Sequence, residues 1–292
     1  MTFRIVPGLA DFAENYEAYI LDLWGVVHNG LEPYPGVLEC MAKLRENGRK
    51  ILLLSNAPRT SNFVQDFLEN IGVDRDVYDL ILTSGDMTRM ILEDKRFPYL
   101  EGESKAFYQF GAERDKGLED GLDYRKVDKL AEADFVICTG LADDETETPE
   151  HYRALLTEAA EYKLPMICAN PDLTVMRGVN MHYCAGSLAQ LYETLGGEVT
   201  LFGKPYPWAY KLAMEKLDVS DPSKILAVGD SMRTDIKGAT GAGIDCVLVS
   251  GGIHAEEWGL VEGDIPTNHQ VEDLVSQHGI APTFVTGHMI WA

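Results

Sequence analysis

The chain has 292 residues, 46% of them hydrophobic, with a formal net charge of −22 at pH 7. That length buries one large core or two smaller ones, and no apolar run approaches the ~20 residues that span a bilayer, which excludes a membrane partner. The charge excludes a nucleic-acid partner, since phosphate backbones are held by clustered Lys and Arg, and any phosphorylated small substrate would need a local excess of cations.

The first third alternates between strand and helix. The run Tyr19–Leu23 predicts a strand, Val37–Glu46 a helix with Val37, Leu38, Met41 and Leu44 on one face, and Ile51–Leu54 a strand apolar on both faces. A second helix carries Phe63, Val64, Phe67, Leu68 and Ile71 and stops at Gly72, and Leu80–Leu82 makes a third strand. Residues 84–198 read as a separate inserted unit. Its strand-like runs are Phe135–Cys138 and Met166–Cys168, around a helix that starts after Thr148-Pro149, and a further helix runs over Leu188–Leu195. The last third resumes the alternation: a run Val199–Phe202, a helix from Pro205 to Leu217, a strand Ile225–Val228, a helix near Thr234–Thr240 and a strand Cys246–Val249. The expected fold class is α/β, an open doubly wound parallel sheet built from 1–83 and 199–292, with 84–198 inserted between the halves.

The five cysteines, 40, 138, 168, 184 and 246, form no CxxC pair and read as buried thiols in a reducing compartment. The N-terminus lacks the long apolar segment of a secretion signal, and the expected location is cytoplasmic. The segment Pro282–Ala292 is apolar for a terminus. It either docks on the core or covers a second copy, which leaves a homodimer open.

Four segments place polar groups just past the ends of predicted strands. They are Asp22, Ser55-Asn56, Lys204, and Asp230 with Asp235. Strand ends of a doubly wound sheet converge on one edge, where ligands bind. Phosphoryl transfer needs a nucleophile, a metal that neutralises non-bridging oxygens, and fixed donors. Asp22 and Asp230 offer hard oxygen ligands suited to Mg²⁺, Ser55 a hydrogen-bond donor, and Lys204 a compact positive charge.

With these motifs the chain resembles the haloacid dehalogenase superfamily of phosphohydrolases: DLWGVV (22–27), LLLSNA (52–57), GKP (203–205) and GDSMRTD (229–235) occur in the family's order. The insertion, with Asn170-Pro-Asp172, resembles the type C2 cap of subfamily IIA, the NagD-like and 4-nitrophenylphosphatase-like proteins. The resemblance implies that Asp22 attacks phosphorus and becomes an aspartyl phosphate. It implies that Asp230 binds Mg²⁺ together with Asp22 and the backbone carbonyl of Trp24, and that Asp235 holds the metal site or Lys204 in place. It further implies that Ser55 and Lys204 stabilise the phosphoryl group, and that Asn56, Asn170 and Asp172 face the substrate, a small phosphorylated metabolite such as a sugar phosphate.

One departure stands out. The family places a second Asp two residues after the nucleophile, as proton donor, and this chain has Trp24 there. Loss of general acid–base catalysis costs about 10²–10⁴ in rate, which slows alkyl phosphates more than acyl or aryl phosphates. His28, six residues past Asp22, is either a partial replacement for that acid or a plain loop histidine. The retained nucleophile favours a phosphatase. Trp24 keeps two alternatives open: a phosphometabolite-binding regulatory protein, and a phosphotransferase with slow hydrolysis.

Overall fold

The computed structural model describes residues 3–115, 117–177, 180–261 and 263–292. The first sheet takes strands from both ends of the chain. They are β1 (Arg4–Ile5), β2 (Ala18–Leu21), β3 (Lys50–Ser55) and β4 (Leu80–Thr83) from the N-terminal part. The inserted part supplies β5 (Lys105–Phe110), β6 (Tyr124–Lys126), β7 (Phe135–Cys138), β8 (Met166–Cys168), β9 (Thr174–Arg177), β10 (Asn180–Tyr183) and β11 (Val199–Leu201). The C-terminal part adds β12 (Ile225–Gly229), β13 (Asp245–Val249) and β14 (Phe284–Thr286). The helices are α1 (Val37–Glu46), α2 (Ser61–Asn70), α3 (Ser84–Glu93), α4 (Arg153–Glu161), α5 (Ala185–Thr194), α6 (Pro207–Leu217), α7 (Lys237–Gly241), α8 (Ala255–Trp258) and α9 (Asn268–His278).

The core sheet has seven parallel strands in the order β1-β14-β13-β12-β2-β3-β4. Strand alternation sends Ala18, Ile20, Leu52, Leu54, Ile225 and Ala227 to one face, where α3, α6, α7 and α9 pack. Tyr19, Leu21, Ile51, Leu53, Leu226 and Val228 go to the other, covered by α1 and α2. Burial on both faces is why these strands are continuous apolar runs rather than alternating ones. From β2 the chain steps outward to β3, and from β12 it steps the opposite way to β13. The crevice beyond the ends of β2 and β12 is therefore the point where the winding reverses, the usual ligand site of such sheets.

The inserted cap has its own parallel sheet, β11-β8-β7-β5-β6, and an antiparallel hairpin of β9 and β10. One face of that sheet, with Phe107, Phe135, Ile137 and Ile167, joins the same apolar cluster as α3 and the core. The other carries α4 and α5.

Four expectations need correction. Val199–Leu201 pairs with β8 as the edge of the cap sheet, so Lys204 reaches the site on the crossover out of the cap rather than from a core strand. At the other boundary, the Gly85 N–H donates to Ala57 O at 3.1 Å and the Asp86 carboxylate accepts from the Ser61 N–H at 2.9 Å, which ties the start of α3 to the core. The helix expected over 188–195 starts at Ala185, because its small first-turn residues let the backbone lie against the 170–172 loop: a Cβ on Gly186 would stand 2.5 Å from Asp172 O. The helix near 234–240 opens with a wide π-type turn, Met232–Ile236. The apolar tail docks on its own core, where β14 pairs with β13 and β1 and Met289 is fully buried. All five cysteines are unpaired and buried.

Candidate active site

Asp22 leaves the end of β2 with its backbone still tied to the neighbouring strand, its N–H donating to Val228 O at 2.9 Å. The Leu23 N–H donates to Asp22 Oδ1 at 2.7 Å and fixes the side chain. Asp230 occupies the equivalent place after β12, and its Oδ2 accepts from the Ile253 N–H at 2.8 Å. Two glycines make room for that carboxylate. A Cβ on Gly25 would stand 1.9 Å from Asp230 Oδ2, and one on Gly252 would stand 2.2 Å from it. Asp235 follows in the wide turn, with its Oδ2 accepting from the Ser231 N–H at 3.2 Å. Gly229 allows this turn to fold back, since a Cβ there would meet Asp235 Cβ at 2.1 Å.

Lys204 joins these groups. Its Nζ lies 2.5 Å from Asp22 Oδ1 and 2.8 Å from Asp235 Oδ1. Carboxylate oxygens of Asp22, Asp230 and Asp235 all lie within 4.8 Å of one another. Burial, then repulsion from Asp235, pushes the Asp22 carboxyl well above the usual range, with Lys204 pulling it back. Burial and Asp235 push Asp230 up to about 7. Burial alone would lower the Lys204 ammonium, but Asp22 and Asp235 outweigh it and keep it charged. Three carboxylates against one ammonium leave surplus negative charge in a buried place. The donor set is hard, oxygen-only and cradled by glycines, which fits a divalent cation of the Mg²⁺ kind. Asp22 and Asp230 would hold it.

Asn56 grips the Lys204 backbone from both sides: its Oδ1 accepts from the Lys204 N–H at 2.7 Å and its Nδ2 donates to Lys204 O at 3.1 Å. The same Nδ2 donates to Asp172 Oδ1 at 2.9 Å, joining core to cap. Asn170 braces that cap loop by accepting from the Asp172 N–H at 2.9 Å. Ser55 is buried at the end of β3, where its Oγ accepts from the Ala57 N–H at 3.2 Å. Trp24 lines the cavity beside Asp22, packed so tightly on Gly30 that a Cβ there would stand 2.4 Å from the indole. His28 is not brought into the group. Its ring is fully buried edge-on to Trp24 and Phe67, its Nδ1 accepts from the Gly30 N–H at 3.0 Å, and burial lowers its pKa to about 4.

The cavity over Asp22 and Asp230 has a volume of about 780 Å³. Its cap wall is Asp172, Leu173 and the hairpin residues Thr174, Val175 and Met176. Arg233 and the 251–255 loop with His254 also line it. Of these, Asp172 was expected at the site, whereas the hairpin residues 174–176 and the 251–255 loop were not. The 251–255 loop follows a recognised strand, β13, so the rule that singled out Asp22 and Asp230 would have found it. Arg233 does not face the cavity as a free cation, because its Nη2 donates to Pro171 O at 2.9 Å. Arg177 pairs with Asp144 at 3.0 Å.

Residues 19–124 match the model of the haloacid dehalogenase-like hydrolases, and residues 201–276 match a second, HAD-hydrolase-like model. The crystal structure of a haloacid dehalogenase-like hydrolase from Brucella suis 1330 is 37% identical, with a TM-score of 0.83, covering 98% of this chain and 100% of that one. The chain belongs to the haloacid dehalogenase-like hydrolases. Within the family it is similar to the 5'-nucleotidase YutF of Bacillus subtilis, 28% identical over 265 residues that cover 89% of this chain and 97% of the relative. It is similar also to the ribonucleotide monophosphatase NagD of Escherichia coli, 25% identical over 242 residues, covering 80% and 87%. These relatives place it in subfamily IIA, as a hydrolase acting on phosphate esters.

Proposed function

We propose that this protein is a Mg²⁺-dependent phosphatase of a small phosphorylated metabolite, working through an aspartyl phosphate on Asp22, with the inserted cap built on β5–β11 selecting the substrate. The observation that carries this reading is the meeting of Asp22, Lys204, Asp230 and Asp235 at the sheet's switch point. Asp22 Oδ attacks phosphorus in line, and the bond to the leaving oxygen breaks on the far side. Lys204 places a positive charge against the nucleophile, where the transferred oxygens gather negative charge. Asp235 holds Lys204, and Asn56 fixes the backbone that carries it. Bound Mg²⁺ would supply charge neutralisation at the phosphoryl oxygens. The relatives' substrates, nucleotides and sugar phosphates among them, support a small metabolite. A cytoplasmic location is the matching expectation, and no helix among the described residues is long and apolar enough to cross a membrane.

The test is turnover of 4-nitrophenyl phosphate with and without Mg²⁺, in wild type and Asp22→Asn. Turnover that needs the metal and vanishes in the variant is the expected result. The second reading, a metabolite-binding protein with no chemistry, is favoured by Trp24 where the family has an acid, and tight binding without turnover would establish it.

A further inference from the structure

The phosphatase reading leaves one chemical need unmet. The leaving oxygen must be protonated and the attacking water deprotonated, and position 24 offers only an indole. In an in-line displacement the leaving oxygen lies on the side of phosphorus away from Asp22. Asp22 rises from the core floor, so that side is the cap side. The titratable groups in the cavity wall are few. Asp22 and Asp230 belong to the phosphoryl and metal centre, and Arg233 is bonded to Pro171 O. His254 has both ring nitrogens engaged, Nε2 with the Met232 N–H at 3.3 Å and Nδ1 with Glu257 at 3.1 Å. His278 sits behind it, its ring edge-on to His254 at 6.1 Å. Tyr34 lies ring to ring with His288.

Asp172 differs from all of these. It hangs from the cap into the cavity, and its side chain keeps 30% of its exposure. One oxygen, Oδ1, is held by Asn56 Nδ2, whose amide also grips Lys204, so the carboxyl is fixed relative to the nucleophile's own partner. The other oxygen, Oδ2, has no hydrogen-bond partner among the described residues. Arg233 on Pro171 O and Asn170 on the Asp172 N–H hold the loop in place.

Resting on the phosphatase reading, we infer that Asp172 is the general acid and base of this site, delivered by the cap in place of the carboxyl that Trp24 has displaced from the core. In the first half-reaction Asp22 Oδ bonds to phosphorus, the bond to the leaving oxygen breaks, and that oxygen takes the proton from Asp172 Oδ2. In the second, water bonds to phosphorus from the same side, the Asp22–phosphorus bond breaks, and the water's proton returns to Asp172. The surroundings suit a group that must hold a proton. Burial raises the Asp172 carboxyl, Lys204, Asn56 and Arg233 oppose the rise, and Asp235 adds to it. Asp230 and the Cys184 thiol are its remaining ionisable neighbours.

The experiment compares kcat/KM of wild type, Asp172→Asn and Asp22→Asn on 2,4-dinitrophenyl and phenyl phosphate, across pH. Asparagine retains the oxygen that accepts from Asn56, and a thermal melt in Mg²⁺ verifies the fold. With Asp172→Asn, kcat/KM should fall about 10²–10⁴-fold on phenyl phosphate and less than about tenfold on the dinitrophenyl ester, which needs no proton. The limb of the pH profile that requires a protonated acid should disappear with it. Adding Trp24→Asp to Asp172→Asn should restore turnover of the phenyl ester. Equal losses on both esters, or none, would overturn the role of Asp172 while leaving the Asp22 mechanism standing. Wild-type turnover unaffected by Asp22→Asn would overturn the phosphatase reading and this assignment together.

Discussion

Gly25 and Asp230 are 205 positions apart, yet a single methyl group on Gly25 would stand 1.9 Å from Asp230 Oδ2. Gly25 also has φ +78°, a conformation that side chains rarely adopt. Gly25→Ala therefore meets two obstacles at once, strained backbone and a displaced carboxylate. Strain of this kind costs about 1–3 kcal/mol. The expected outcome is a lower melting temperature and loss of most Mg²⁺-dependent turnover, with a raised Mg²⁺ requirement in what remains. An alanine variant with wild-type metal dependence would show that Asp230 does not hold the ion.

Lys204 is the one ammonium in contact with this carboxylate cluster among the described residues, and it is 3% exposed. Replacing it by methionine keeps the aliphatic stem but leaves Asp22 and Asp235 buried without their partner. Removing one member of a buried pair costs about 3–5 kcal/mol. Lys204→Met should melt far below wild type in EDTA and recover part of the difference when Mg²⁺ is added, because the cation replaces some of the lost charge. Activity should stay low under both conditions. Thermal melts with and without Mg²⁺ separate these effects, and a variant that melts like wild type in EDTA would contradict the electrostatic account.

Much of this centre is legible in the amino-acid sequence, for a definite reason. Asp22, Ser55 and Asp230 each follow an apolar run buried on both faces, and parallel strands of that kind align their ends on one edge. The cap was harder to read because its strands are short and half-polar. Tyr124–Lys126 is a mere three residues, two of them charged and exposed. The hairpin Thr174–Arg177 with Asn180–Tyr183 has only partial burial, so neither strand shows the apolar alternation of a core element. Val199–Leu201 does read as a strand, but nothing in three residues states which sheet it will join. His28 shows a further limit. Six residues after a nucleophile is close in sequence, yet the turn at Gly25 sends the His28 ring into the core against Phe67 rather than toward the cavity.

That burial makes His28 a source of pH-dependent stability. In the unfolded chain the imidazole takes up a proton below about pH 6.5, whereas in the folded protein burial delays protonation to about 4. Between those values the unfolded state binds the proton first. Stability linked to His28 is therefore complete above pH 6.5 and falls as the pH drops toward 4, by about 3 kcal/mol in all. Asp22 and Asp230 act in the opposite sense, because their carboxyls are raised in the fold and acid relieves their repulsion. The contribution of His28 must therefore be read as a difference between proteins. In His28→Asn the side-chain oxygen can still accept from the Gly30 N–H, but the titration is gone. Denaturant melts at pH 4.5 and pH 7.5, both in EDTA, should show wild type losing stability on acidification relative to His28→Asn. Parallel curves for the two proteins would mean that the His28 ring protonates in the fold as readily as it does in water.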